Sequence, residues 1–106
     1  MKTAKVEVKT IYTVELEIAE IMKIYQDYTA DDTLKSMHPM AFRHFKEGEQ
    51  YTDTQFVKSL WLAHADTYSV IAKSLGFKGW ENAGHYNHQE NTYTMVVYNH
   101  GDTLNK

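Results

Sequence analysis

The stretch KVEVKTIYTVELEIAEIMKIYQDY, residues 5–28, changes its hydrophobic period once, and that change decides the fold class. Val6, Val8, Thr10, Tyr12, Val14 and Leu16 share one parity, while Lys5, Glu7, Lys9, Thr13, Glu15 and Glu17 share the other, broken only by Ile11. Successive side chains of a strand point to opposite faces, so this alternation predicts a half-buried strand. The run exceeds the usual strand of about 5–6 residues, so a shorter, bulged or doubly paired strand is expected within it. Beyond it the apolar residues fall at Ile18, Ile21, Met22, Tyr25 and Tyr28. That spacing predicts an amphipathic helix over residues 17–28 that lays one stripe on the sheet.

Outward from this pair, residues 29–32 close the helix, and Asp31–Asp32 reads as a helix-start or turn pair. Pro39 suits the first position of a helix, where its missing N–H costs nothing. A short helix through Met40, Ala41, His44 and Phe45 is expected to follow it and to end before Gly48. Thr52 and Gln55 match a capping box. Phe56, Leu60, Trp61, Ala65, Tyr68, Ile71, Ala72 and Leu75 then form a helical stripe that stops at Gly76, where a left-handed residue is needed. The segment 53–75 reads either as one helix or as two that break near His64. Near the end, Tyr93, Met95 and Val97 alternate with Thr94, Val96 and Tyr98. Apolar residues on both parities predict a central or well-covered strand. Residues 84–88 are expected to pair with it through a turn at residues 89–91.

The expected fold is therefore a small α+β single domain spanning residues 1–106. It has an N-terminal strand, two to three helices, and a C-terminal strand or hairpin beside the first strand in a small antiparallel sheet. A chain of 106 residues, 42% hydrophobic and 13% aromatic, supports one packed core. It contains no Cys, which removes disulfides, thiolate ligands and Cys nucleophiles. No secretory signal is visible and no run approaches the roughly 18 apolar residues of a membrane span, so a soluble cytoplasmic protein with no membrane partner is expected.

The net charge is −3, and the 11 Lys and Arg are scattered, which argues against nucleic acid as a partner. The acids are less even. Glu15, Glu17, Glu20, Asp27, Asp31 and Asp32 lie close in sequence with only Lys23 among them. They read either as a solvated strand end and helix face or as an acidic face that meets a protein partner.

From His64 the chain reads HADTYSVIAKSLGFKGWENA. This segment resembles a recurring motif of small bacterial, plasmid and phage proteins labelled glyoxalase-related. Its His, helix-ending Ala, Gly, aromatic, Trp and small residue fall here at His64, Ala72, Gly76, Phe77, Trp80 and Ala83. The position four after the His, commonly Leu, is Tyr68. The Ser or Thr usual before the His is Ala63, which favours a continuous helix through His64. The resemblance covers about a fifth of the chain. It implies a helix, a turn and the start of another helix with a docked Trp, and it brings no catalytic residues. Read physically, Gly76 stops a helix, Phe77 packs back on its last turn and Trp80 covers the next element.

Six His invite a metal, but His85 and His88 sit in a loop or strand context where a spacing of three turns them apart. No HExxH, phosphate loop, dinucleotide fingerprint or nucleophile elbow is present, so no cofactor, metal or catalytic residue is assigned. His64 reads either as a hydrogen-bonded core-edge residue or as a base paired with Asp66. Eight Tyr exceed what so small a core buries, and Tyr and Trp are favoured at binding surfaces. The expected function is a non-catalytic protein–protein interaction module. By resemblance, it is a phage- or plasmid-type accessory protein that binds and modulates, for example inhibits, a host protein. The alternative is a small-molecule binder or enzyme with a pocket at His64, Tyr68, Trp80 and His85. With few strands, a homodimer that joins sheet edges or helices is a further expectation.

Overall fold

The computed structural model describes residues 9–45 and 49–100. These form three strands and four helices in the order β1 (Lys9–Glu17), α1 (Ile18–Ala30), α2 (Asp32–Met37), α3 (Asp53–Trp61), α4 (Ala65–Ser74), β2 (Gly79–Asn87) and β3 (Thr92–His100). The sheet is antiparallel with β3 in the centre, in the order β1-β3-β2. The expected α+β class, the central C-terminal strand and its hairpin are all present. Val6 and Val8 of the alternating run lie outside the described residues.

The alternation in β1 and β3 divides the sheet into two faces. Leu16, Tyr93, Met95 and Val97 are buried under the helices. On the other parity Thr13 and Glu15 are exposed, while Thr94, Val96 and Tyr98 are half-buried. β1 pairs with β3 without interruption from Lys9↔His100 to Glu17↔Thr92. β2 is less regular, with register shifts between Trp80 and Asn82 and between Asn82 and His85. Gly84 sits at the second irregularity, where an added Cβ would lie 0.9 Å from the Thr94 carbonyl oxygen. Only a residue without Cβ lets the two backbones approach this closely.

α1 follows β1 directly. Glu17 caps it, and the Glu20 side chain reaches back to the Glu17 N–H at 3.5 Å. Its Ile18 and Ile21 are fully buried, with Met22, Ile24 and Tyr25 packed at the margin. Asp31 leaves the helical conformation and caps α2, its Oδ1 accepting from the N–H groups of Thr33 at 2.9 Å and Leu34 at 3.1 Å. Asp31–Asp32 is thus the helix start that the sequence suggests.

Two local expectations are overturned. Residues 39–45 form turns, not a helix. Phe42 adopts a positive φ of 54°, and its N–H is donated to the buried Thr67 hydroxyl at 2.8 Å. This bend drops Phe42 and Phe45 into an aromatic cluster with Tyr25, Tyr28 and Phe56. Packing there outweighs the modest helix preference of a short segment.

The segment 53–75 is two helices, and the break falls at residues 62–64. The Ala63 argument for continuity fails because His64 is itself the cap, its Nδ1 accepting from the Asp66 N–H at 3.2 Å. At the far end Gly76 has φ 92°, and the Phe77 N–H returns to the Ala72 carbonyl at 3.0 Å, as the sequence reading requires. The next element is strand β2, however, and not the helix start implied by the resemblance. Phe56 and Leu60 of α3 and Val70 and Ile71 of α4 complete the core over Met95 and Val97. Among the described residues no helix is long and apolar enough to cross a membrane.

Candidate functional site

The site is built where α3 meets the hairpin. The capping box starts α3, with the Gln55 N–H reaching the Thr52 hydroxyl at 3.3 Å and the Thr52 N–H reaching Gln55 Oε1 at 3.0 Å. Phe56, Val57 and Leu60 anchor the helix in the core. Thr54, Val57, Lys58 and Trp61 recur at helical spacing and so share the flank that faces β2. Because α3 ends at Trp61 and α4 is capped at His64, Trp61 and Leu62 stand on a turn, 63% and 60% exposed.

Asn91 fixes the hairpin against this helix. It has a positive φ of 56°, a conformation Asn tolerates better than most residues. Its Oδ1 accepts from the Tyr86 hydroxyl at 2.5 Å, its Nδ2 donates to Asp53 Oδ2 at 2.6 Å, and its carbonyl accepts from the Ile18 N–H at 3.4 Å. One residue thus ties β2, α3 and α1 together. Tyr86 meets His88 edge-on, with ring centroids 4.5 Å apart. Between these rings and α3 lies an open recess of about 330 Å³ lined by Thr54, Val57, Lys58, Trp61, Tyr86 and His88. Its walls are aliphatic and aromatic, with the Lys58 ammonium and the His88 ring as polar ends. Chemically it suits an apolar side chain whose neighbours carry carboxylates.

A larger recess of about 470 Å³ lies between α1 and the segment entering α3, lined by Met22, Tyr25, Gln26 and Tyr51 among others. Tyr51 and Tyr25 are also members of the aromatic cluster.

The residues singled out from the sequence are distributed as follows. Glu15 lies on the open sheet face opposite Thr94, while Glu17 and Glu20 cap the start of α1. Asp27 is exposed on α1, Asp31 caps α2, and Asp32 pairs with Lys35 at 3.4 Å. At about 1.5 Å per residue, Glu17 and Asp31 stand roughly 20 Å apart along α1. The acids therefore spread along a helix, and three of them, Glu17, Glu20 and Asp31, are occupied in caps. Of the alternative pocket, Tyr68 and Trp80 come together with ring centroids 5.1 Å apart. His85 pairs with Thr94 and so faces the open side of the sheet, away from Tyr86 and Tyr93. His64 is turned to the start of α4, with Asp66 Oδ1 3.8 Å away. None of the four lines either recess described above. Among the described residues no three His, Cys, Asp or Glu gather closely enough to hold a metal ion.

Three phenols are held above their ordinary pKa. Burial raises Tyr93, and the adjoining Tyr68 hydroxyl adds to the effect. Burial also raises Tyr68, which accepts a hydrogen bond from Tyr93, and burial raises Tyr28. All three belong to the core. The Tyr68 hydroxyl donates to the Leu60 carbonyl at 2.8 Å, so its ring braces the end of α3.

Trp61 was read from the sequence as part of the buried stripe, and that reading is corrected. The stripe loses its phase where α3 breaks, which leaves Trp61 and Ala65 outside the core. Lys58, Tyr86 and His88 carried no sequence signal as a set, because α3 and β2 meet only in the fold. No family model matches the sequence, and no curated protein or solved structure matches it either. The fold and site define a small α+β domain with helices on one sheet face and an aromatic recess at a helix–hairpin junction.

Proposed function

We propose that this domain is a non-catalytic protein-interaction module whose contact surface is the recess at Trp61. The observation that carries the reading is Trp61 itself, 63% exposed beside Leu62 on the rim of an apolar hollow. A large aromatic left in water at the edge of a preformed hollow is the usual composition of a binding hot spot. The fitting partner segment presents an apolar side chain flanked by Asp or Glu, which would face Lys58 and His88. The glyoxalase-related resemblance extends the proposal to an accessory protein, of the kind mobile elements carry, that modulates a host protein in the cytoplasm.

The test is affinity capture of cytoplasmic proteins from a bacterial lysate by three tagged baits. These are the wild type, Trp61→Ala, and a variant with Glu15, Glu17, Glu20, Asp31 and Asp32 changed to Gln or Asn. The expected result is one near-stoichiometric protein, kept by the acidic-residue variant and lost by Trp61→Ala. Loss in the acidic-residue variant alone would move the contact to α1. Turnover of a substrate by the pure protein, abolished by one polar substitution near Tyr68 and Trp80, would replace this reading with the pocket alternative.

A further inference from the structure

The larger recess, between α1 and the segment entering α3, differs from the Trp61 recess in charge and in the arrangement of its rings. Tyr25 reaches it from α1, Tyr51 from the residues before the α3 cap, and Phe56 from α3 itself. The Tyr25 and Tyr51 rings stand at 68° and 73° to Phe56, with centroids 6.2 and 6.4 Å from it. Rings at such steep angles do not stack on one another, so more than one negative π face is left for a guest. Phe45 is buried against all three, its centroid 5.0 Å from Tyr25, 5.4 Å from Tyr51 and 4.7 Å from Phe56. The set is therefore held in place before any ligand arrives. Of the described residues that line the recess, Glu49 alone is charged, and it is exposed. The Trp61 recess carries Lys58 instead.

We propose that Tyr25, Tyr51, Phe56 and Glu49 form a cage for a methylated ammonium head. Ring faces attract a cation through their quadrupoles, and a carboxylate beside them adds to the attraction. The methyl groups decide between kinds of cation. A bare ammonium is strongly hydrated and needs acceptors for three N–H donors, which ring faces and one exposed carboxylate replace poorly. A quaternary ammonium has no N–H to satisfy and presents its charge on an apolar surface that fits against rings. The volume of about 470 Å³ suits a small ligand or one long side chain. The cage shares no lining residue with the Trp61 recess, and the proposal does not depend on that reading.

The test titrates the full 106-residue chain with choline chloride and follows the aromatic NMR resonances of Tyr25 and Tyr51. A saturable shift is expected. 3,3-Dimethylbutan-1-ol, which has the shape of choline without its charge, is expected to bind about tenfold more weakly, the ratio that cation–π attraction to two rings provides. Glu49→Gln changes an exposed residue and should weaken choline roughly two- to fivefold with the circular dichroism spectrum unchanged. Tyr51→Phe keeps the ring and should keep binding, whereas Tyr51→Leu should lose most of it. Free Nε-trimethyllysine is expected to bind and lysine is not. Tighter binding of trimethyllysine than of choline assigns the head to a modified protein side chain, and the reverse order assigns it to a choline-type small molecule; either order supports the cage. Equal affinity for choline and its uncharged isostere, or no saturable shift with either quaternary ammonium, overturns the proposal, and both readings need only the wild-type chain.

Discussion

Removing the Tyr68 hydroxyl tests the core most directly, because that oxygen sits in the middle of a buried hydrogen-bond chain. The Gly84 N–H donates to the Tyr93 oxygen, Tyr93 donates to Tyr68, and Tyr68 donates to the Leu60 carbonyl at 2.8 Å. The chain joins the irregular part of β2, the central strand, α4 and the end of α3. Tyr68→Phe leaves the Tyr93 proton without an acceptor in a residue only 1% exposed, while the Leu60 carbonyl keeps the Ala63 N–H at 3.0 Å. An unmade buried hydrogen bond costs about 1–3 kcal/mol, so Tyr68→Phe is expected to lose that much. Tyr93→Phe orphans the Gly84 N–H instead and is expected to lose a similar amount, about 1–3 kcal/mol. The double variant breaks the shared Tyr–Tyr bond once, so its loss should fall short of the sum by about 1 kcal/mol. Urea unfolding followed by far-ultraviolet circular dichroism gives the three values. Thermal midpoints should fall by about 4–8 °C per kcal/mol for a domain near this size. Strict additivity, or single variants within about 0.5 kcal/mol of wild type, would refute the chain, since that is the range of an unremarkable surface substitution.

The same phenols set an alkaline limit. Tyr28, Tyr68 and Tyr93 have pKa values raised above 10.0 by burial, so below that pH folded and unfolded chains hold the same phenolic protons. Above it the unfolded chain loses protons that the folded chain keeps, and stability falls as pH rises toward the folded values. Tyr93→Phe should flatten this fall, measured as urea midpoints between neutral pH and about pH 11. Gly84→Ala should prevent a stable fold or shift β2 out of register, visible as collapse of amide dispersion in NMR, because its Cβ would overlap the Thr94 carbonyl. Thr67→Val should cost about 1–3 kcal/mol by stranding the Phe42 N–H, and unfolding midpoints would show it. Trp61→Ala should leave stability within about 0.5 kcal/mol of wild type, since the side chain is mostly in water.

Patterns that repeat within one element were legible in the amino-acid order. The alternation that ends in Leu16, the helical spacing from Ile18, the Thr52 and Asp31 caps and the stop at Gly76 all act between residues a few positions apart. Such effects are carried by local backbone geometry and survive translation into the fold. The two-sided apolar pattern of residues 92–99 likewise announced the centre of the sheet, because a strand with neighbours on both edges is covered on both faces more than an edge strand is.

What failed, or was invisible, depends on partners far away in the chain. Phe42 leaves the helical region because Thr67, 25 residues on, takes its N–H and because the rings of Tyr25, Tyr28 and Phe45 pack against it. The exposure of Trp61 follows from the break at residues 62–64, and the recess beside it needs Tyr86 and His88, which Asn91 holds in place through Asp53. The histidines and acids, grouped in sequence, are separated by the two faces of the sheet and the length of α1. Sequence by itself determined the elements, since their free energy is settled by neighbours along the backbone. Only the tertiary structure decided which side chains meet, since burial and long-range hydrogen bonds are properties of the assembled chain.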